Sequence, residues 1–452
     1  MRRRIFSVVL AIAMSIVLVI SGCSNNQGNG DQSKANNQTD VTEKENTPPK
    51  EEEKHDPVTI TMVMGNNDYQ GLFDLFNKKY PWITVKPVLV NGSFMETVIA
   101  NEAAGTPIDI IWIDELAQYI KGDMLVDLKP YMENDPSLKD KKFPEGFLET
   151  FDIKEKRYAA PFVYVPTWIA VNTDLLEKNG LDMPPNDWTL DDFSEYAKKA
   201  TNPASGEFGL AYNSLFGMHF LTAVATANGH AANLDYMNED LTQSVMGTPG
   251  VLEDLKWMKE IVTRDGSMAS NKKAAEVGLN MANDFIAGRS LFDMIGDWVL
   301  PTLQKEAKFN WDLLPFPKGK KQQVTYGMTG AFGIATSSKH KDEAYKWISF
   351  QYELEAQKWK IDQGASASVL NDEVLAYYNE SPMWKGKNIS AVTETNKFKC
   401  CISQGHKIPS FVDNPWALGI SVVFDEVDPE SIIPKVEEWN KKSQKLREEL
   451  GW

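Results

Sequence analysis

Ile108-Asp-Ile-Ile-Trp-Ile113 is an apolar run with a single polar break, entered from Gly105-Thr106-Pro107 and left through Asp114 and Glu115. A run this short, bounded by turn residues, reads as a strand buried on both faces. Before it, residues 94–104 read as a helix and Ile83-Thr-Val-Lys-Pro-Val-Leu-Val90 as a strand. Leu72, Phe73, Leu75, Phe76 and Tyr80 share one helical face, and Pro81 ends that helix. Val58-Thr-Ile-Thr-Met-Val-Met64 is the first strand and stops at Gly65-Asn66-Asn67-Asp68. Strands with little polar interruption, alternating with helices, predict an α/β fold whose sheet is parallel and covered on both faces.

Further along, Tyr158-Ala-Ala-Pro-Phe-Val-Tyr-Val-Pro-Thr-Trp-Ile-Ala-Val-Asn172 is a long extended stretch, where the chain is expected to cross into a second lobe. Residues 57–452 exceed the ~250–300 residues at which one core stops growing, so two lobes are expected. Thr189 is placed to cap a helix running through Phe193, Tyr196, Ala197 and Ala200, with Asp192 as the third helical residue of a capping box. Helical patterning dominates 216–227 and 251–262, which makes the second lobe the more helical one. Trp311-Asp-Leu-Leu-Pro-Phe-Pro317 and Ala331-Phe-Gly-Ile-Ala-Thr336 read as later strands, followed by a helix over about 342–355.

The N-terminus carries a different message. Arg2, Arg3 and Arg4 precede an apolar stretch from Ile5 to Ile20 broken only by Ser7 and Ser15, the pattern of an export signal. It is marginally short for a span, which needs about 20 apolar residues. Ile20-Ser21-Gly22-Cys23 resembles the bacterial lipobox, in which the cysteine is diacylated and becomes the first residue; two or more acyl chains hold a protein firmly to a bilayer. Residues 1–22 are thus expected to be a signal peptide. Residues 23–56, with Ala35 and Val41 as their aliphatic side chains, are expected to form a lipidated, disordered tether on the extracytoplasmic face of the cell membrane.

A net charge of −16 argues against nucleic acid and against charge-driven adhesion to an anionic bilayer. Cys23 apart, the cysteines are the adjacent Cys400 and Cys401, read as ordinary buried thiols with a vicinal disulfide as the alternative; no disulfide framework is expected to stabilise the fold. His55, His219, His230, His340 and His406 have no zinc-ligand spacing, and calcium-loop, phosphate-loop and nucleophile-elbow patterns are absent, so no metal, cofactor or catalytic residue is expected.

Taken in order, these pieces resemble the sugar-binding proteins of ABC importers, the group that includes maltose-binding protein. The resemblance rests on the lipobox, Pro81-Trp-Ile-Thr-Val-Lys86, Ala104-Gly-Thr-Pro-Ile-Asp-Ile110, Asp127-Leu128, Val171-Asn-Thr-Asp-Leu175, Ala287-Gly-Arg-Ser-Leu-Phe-Asp-Met294 with Gly296 and Trp298, and residues 327–336. It covers roughly 57–360 and fades after about 363. It implies a periplasmic-binding-protein-like architecture of two α/β lobes joined by hinge segments around a ligand cleft. The lobes would comprise 57–166 with 311–354 and 167–310 with 355–452. It also implies a monomer that captures an oligosaccharide by closing on it, docks on the permease subunits of an importer, and performs no catalysis.

A neutral sugar calls for aromatic platforms against its C–H faces and carboxylates or amides for its hydroxyls. Open α/β sheets present ligands at the carboxyl ends of their strands, which selects Asn66 and Asn67 after the first strand and Asp114 after the third. Asp297 and Trp298 lie in the loop that supplies a stacking tryptophan in the resembling family. Trp168, Phe216, Tyr326 and Trp416 complete the expected ligand-binding set, whereas His219 is assigned to packing or incidental exposure. The alternatives are an anion, a peptide or a polyamine as solute, or an extracellular carbohydrate-active enzyme, whose paired carboxylates cannot be read from sequence.

Overall fold

The computed structural model describes residues 55–65, 69–213, 215–279, 284–398, 402–409, 416–424 and 427–452. Asn66, Asn67, Cys23, Cys400, Cys401, the signal and most of the tether lie outside the described residues. The strands are β1 (Val58–Met64), β2 (Ile83–Leu89), β3 (Ile110–Trp112), a two-residue ribbon β4 (Asp152–Ile153) and β5 (Lys156–Arg157), β6 (Ala160–Pro166), β7 (Trp168–Asn172), β8 (Phe208–Leu210), β9 (Ser290–Ile295), β10 (Trp311–Leu314) and β11 (Gly327–Ile334). Helices α1 (Gln70–Lys79), α2 (Phe94–Ala103) and α3 (Leu116–Lys121) link and follow the first three strands.

Two sheets organise the chain. The first has the order β2-β1-β3-β11-β6 and the second β10-β7-β9-β8. β1 is parallel to β2 and β3, as alternating strands and helices require, but β11 runs antiparallel to both β3 and β6. The expectation of an all-parallel sheet is corrected at this point. β11 enters from the other lobe and needs no helical crossover, so nothing constrains it to the parallel direction. The one polar break in the opening run, Asp109, is buried and satisfied: it accepts from the backbone N–H of Thr61 at 2.8 Å and from Ser338 Oγ at 2.6 Å.

The chain leaves the first sheet at Pro166 and starts the second at Trp168, with Thr167 between them. It returns between β10 and β11. Trp311–Leu314 pairs with β7 in the second sheet, so the return lies after Leu314 and not at the expected residue 311. The two passages run side by side. Thr167 donates its N–H to the Tyr326 carbonyl at 3.0 Å, and Thr325 Oγ1 donates to the Thr167 carbonyl at 2.5 Å. Both threonines are buried.

The boundary expected at 354/355 also shifts. The helix Leu354–Asp362 lies against the first lobe, where Trp359 packs beside Gly71 and Lys360 Nζ donates to the Phe162 carbonyl. The chain reaches the second lobe again by Lys387 and Asn388, which bond to Trp311 and Asp312.

In the second lobe, Phe193, Phe220, Phe292 and Trp188 form an aromatic core, with Trp188 Nε1 donating to the Pro315 carbonyl. The helix Leu190–Ala200 begins with a full capping box, since Thr189 Oγ1 accepts from the Asp192 N–H and the Asp192 carboxylate accepts from the Thr189 N–H. Aspartate is long enough to reach back. Gly209 on β8 lies so close to this helix that a Cβ there would stand 2.1 Å from the Ala197 carbonyl oxygen.

Candidate functional site

β3 delivers the chain to a turn at the carboxyl edge of the first sheet. Asp114 is fixed there by its neighbours: its Oδ1 accepts from the Glu115 N–H at 3.0 Å and from the buried Tyr119 hydroxyl at 2.9 Å. Glu115, next to it and half buried, has its pKa raised by desolvation and then by the Asp114 charge. β11 contributes Met328 and Thr329, and Tyr326 stands just before it at the passage between lobes.

The facing wall comes from the second lobe. A π-helical turn at Phe216–Phe220 presents His219, and the helix Trp416–Phe424 presents its first residue. The His219 ring lies flat on Tyr326, with centroids 4.0 Å apart and planes at 6°, and it meets Trp416 edge-on at 6.1 Å. Asp235 closes this side. It accepts from Ser403 Oγ at 2.5 Å and from the Gln404 N–H at 2.7 Å, and burial pushes its pKa up to about 6 against the lowering effect of those two bonds. The cavity so enclosed measures about 390 Å³. Among its described lining residues there is no lysine or arginine, whereas Asp114, Glu115 and Asp235 all face it.

Of the residues expected from sequence, Asp114, Tyr326 and Trp416 come together on this one cavity. Trp168 does not. It is buried in the core at the lobe passage, edge-on to Trp384 at 5.7 Å, because β7 is covered on both faces. Phe216 is likewise a core residue, packed on Phe193 and Phe220. Asp297 is buried and accepts from the Ser366 N–H at 2.9 Å, with its pKa pushed up to about 6 by desolvation. Trp298 is 51% exposed and borders a separate cavity of about 330 Å³ in the second lobe, beside Asn213, Asp284 and Asp293. Asn213 Nδ2 donates to Asp293, whose pKa burial raises to about 7. Asn66 and Asn67 lie outside the described residues.

Among the cavity residues that were not anticipated are His219, Asp235, Thr329, Ser403 and His406. His219 had one usable signal, its place as a polar residue among the apolar Phe216, Met218, Phe220 and Leu221. Asp235 and Ser403 had none, since their bond joins positions 168 residues apart.

Residues 65–358 match the family described as bacterial extracellular solute-binding protein. An ABC substrate-binding protein of Listeria monocytogenes, solved in complex with cycloalternan, superposes with a TM-score of 0.69 at 22% identity, covering 88% of this chain and 100% of that one. The GacH receptor of Streptomyces glaucescens, solved with acarbose, gives a TM-score of 0.66 at 18% identity over 87% and 99%. A binding protein of Brucella abortus strain 2308 is 24% identical over 286 residues, 62% of this chain and 66% of its own length. The match therefore spans just under two thirds of that relative.

Asp235 gives a pH test. A carboxyl group whose pKa rises on folding contributes stability that is present below its unfolded value and is lost as pH rises through the folded one. Relative to Asp235→Asn, the ligand-free protein should lose up to about 3 kcal/mol between pH ~4 and ~7. Urea unfolding of both proteins across that window measures the difference, and a constant gap would contradict the buried-carboxylate account.

Proposed function

The chain belongs to the family of bacterial extracellular solute-binding proteins, and we propose that its solute is a neutral oligosaccharide. The observation that carries this reading is the composition of the interlobe cavity: aromatic rings at His219, Tyr326 and Trp416, carboxylates at Asp114 and Glu115, and no lysine or arginine among the described lining. Aromatic faces suit the C–H surfaces of a pyranose, and carboxylates accept its hydroxyls. A phosphate, a uronate or a peptide carboxylate would find no cation to pair with, and its desolvation would go uncompensated. The sugars named for the Listeria and Streptomyces proteins support the same class.

Capture proceeds by closure. The cavity takes residues from both lobes, so a sugar bound between them interacts more strongly with the closed arrangement, and only that differential affinity shifts the equilibrium. The closed form then delivers its cargo to the permease subunits of an ABC importer. Trp298, half exposed at the carboxyl end of β9, is the platform for a further sugar ring, which favours an oligosaccharide over a single sugar. Cys23 carries the lipid, and residues 24–56 give the body reach above the membrane. No helix among the described residues is long and apolar enough to cross a membrane.

Thermal melting against a solute panel tests the assignment. A neutral oligosaccharide such as maltotetraose should raise the melting temperature by several degrees, with Trp416→Ala weakening its binding by about tenfold or more. Trp298→Ala should weaken longer sugars more than disaccharides. A rise only with a polyamine or a peptide would remove carbohydrate from the account. For the anchor, Cys23→Ala should release the protein from membranes into the soluble fraction, and unchanged membrane retention would refute lipidation at that site.

A further inference from the structure

The cavity contains carboxylates that already accept protein hydrogen bonds and two shielded side-chain atoms that have none. Asp235 is bonded to Ser403 and Gln404, and Asp114 is bonded to Tyr119 and Glu115. His219 Nδ1 and Thr329 Oγ1, by contrast, are shielded from solvent and have no hydrogen-bond partner. Both residues line the cavity. They come from different lobes, since His219 belongs to the π-helical turn of the second lobe and Thr329 to β11 of the first sheet.

Each is held in place by something other than its polar atoms. The imidazole is clamped by its stack on Tyr326 and by the edge of Trp416. Thr329 is fixed by the β11 ladder, opposite Tyr164 on β6. A π-turn inserts one residue into a helix and is frequent at functional sites, because the insertion re-aims side chains that a regular helix would bury. Phe216 and Phe220 remain in the core while the residue between them that borders the cavity is a histidine. Burial holds the His219 pKa down to about 4, so at ordinary pH the ring is neutral and offers one N–H and one lone pair. Buried polar groups without partners are rare and call for an explanation such as a missing ligand.

We propose that His219 and Thr329 are the specificity-determining pair of the cleft: ligand hydroxyls bond to the imidazole from one lobe and to the threonine hydroxyl from the other, and so latch the lobes together. The inference rests on the carbohydrate reading and deepens it. It requires a ligand with at least two hydroxyls, one for each group, and it makes closure depend on hydrogen bonds that a deoxygenated analogue cannot form.

The test uses the full mature protein and calorimetric titration with maltotetraose, cellotetraose, raffinose and acarbose. With whichever of these the wild type binds, His219→Phe, which keeps the ring stack, should lose about tenfold or more in affinity. Thr329→Val, of the same shape, should also lose about fivefold or more. His219→Gln, which keeps a donor and an acceptor, should stay within about threefold of wild type. Ligand-free melting temperatures should move by less than about 2 °C. If His219→Phe fails to fold, the nitrogen-15 resonances of the wild-type imidazole replace it, and they should shift on sugar binding. Wild-type binding with His219→Phe and Thr329→Val unchanged, or imidazole resonances unmoved by bound sugar, would overturn this pair while leaving the carbohydrate reading intact. Binding of none of the four sugars would overturn both.

Discussion

The hydrogen bonds between the first two interlobe passages, Thr167 N–H to the Tyr326 carbonyl and Thr325 Oγ1 to the Thr167 carbonyl, are the constraint on which the rest of the structure depends. They hold two chain segments, far apart in sequence, side by side at the point where one sheet gives way to the other. Rotation of one lobe on the other has to be absorbed there. Tyr326 serves both sides of this arrangement, because its carbonyl belongs to the passage while its ring forms a wall of the cavity and carries the stacked His219. A ligand in that cavity acts next to the segment about which the lobes move. The sheets can be ordinary α/β sheets because the join between them bears the functional requirement.

A second constraint is electrostatic. The second lobe buries Asp235, Asp293 and Asp297, and desolvation raises all three above the usual carboxylate range despite the hydrogen bonds each accepts. Such groups are costly to a ligand-free protein. Asp235 shows what the cost secures: by accepting from Ser403 and Gln404 it ties a segment that also bonds to Gly327 through the Ser403 N–H. The cavity floor is thereby joined to both lobes. His219 follows the opposite logic, since burial lowers its pKa and keeps it uncharged.

Much of this was legible from local pattern. The strand in Ile108-Asp-Ile-Ile-Trp-Ile113, the turn bearing Asp114 and the Thr189–Asp192 capping box depend on residues close in sequence, and each takes the local form its residues dictate. What was not legible depends on distant partners. Trp168 and Trp416 carry the same side chain, yet one is enclosed by Trp384 and the other opens on the cavity, a difference set by what the chain places opposite them. The direction of β11 and the pairing of β10 with β7 follow from where the chain re-enters a sheet, which periodicity does not encode. Asp235 looks like any loop aspartate until Ser403 is brought to it.

The central claim is that a sugar held between the lobes draws them together about the Thr167 and Thr325 passages. Small-angle X-ray scattering of the protein, with and without a saturating concentration of the oligosaccharide it binds, addresses this directly. The account predicts a fall in radius of gyration on binding, reversed when the sugar is removed. An unchanged radius at full occupancy would contradict it, because the sugar would then bind without acting on the join between the lobes.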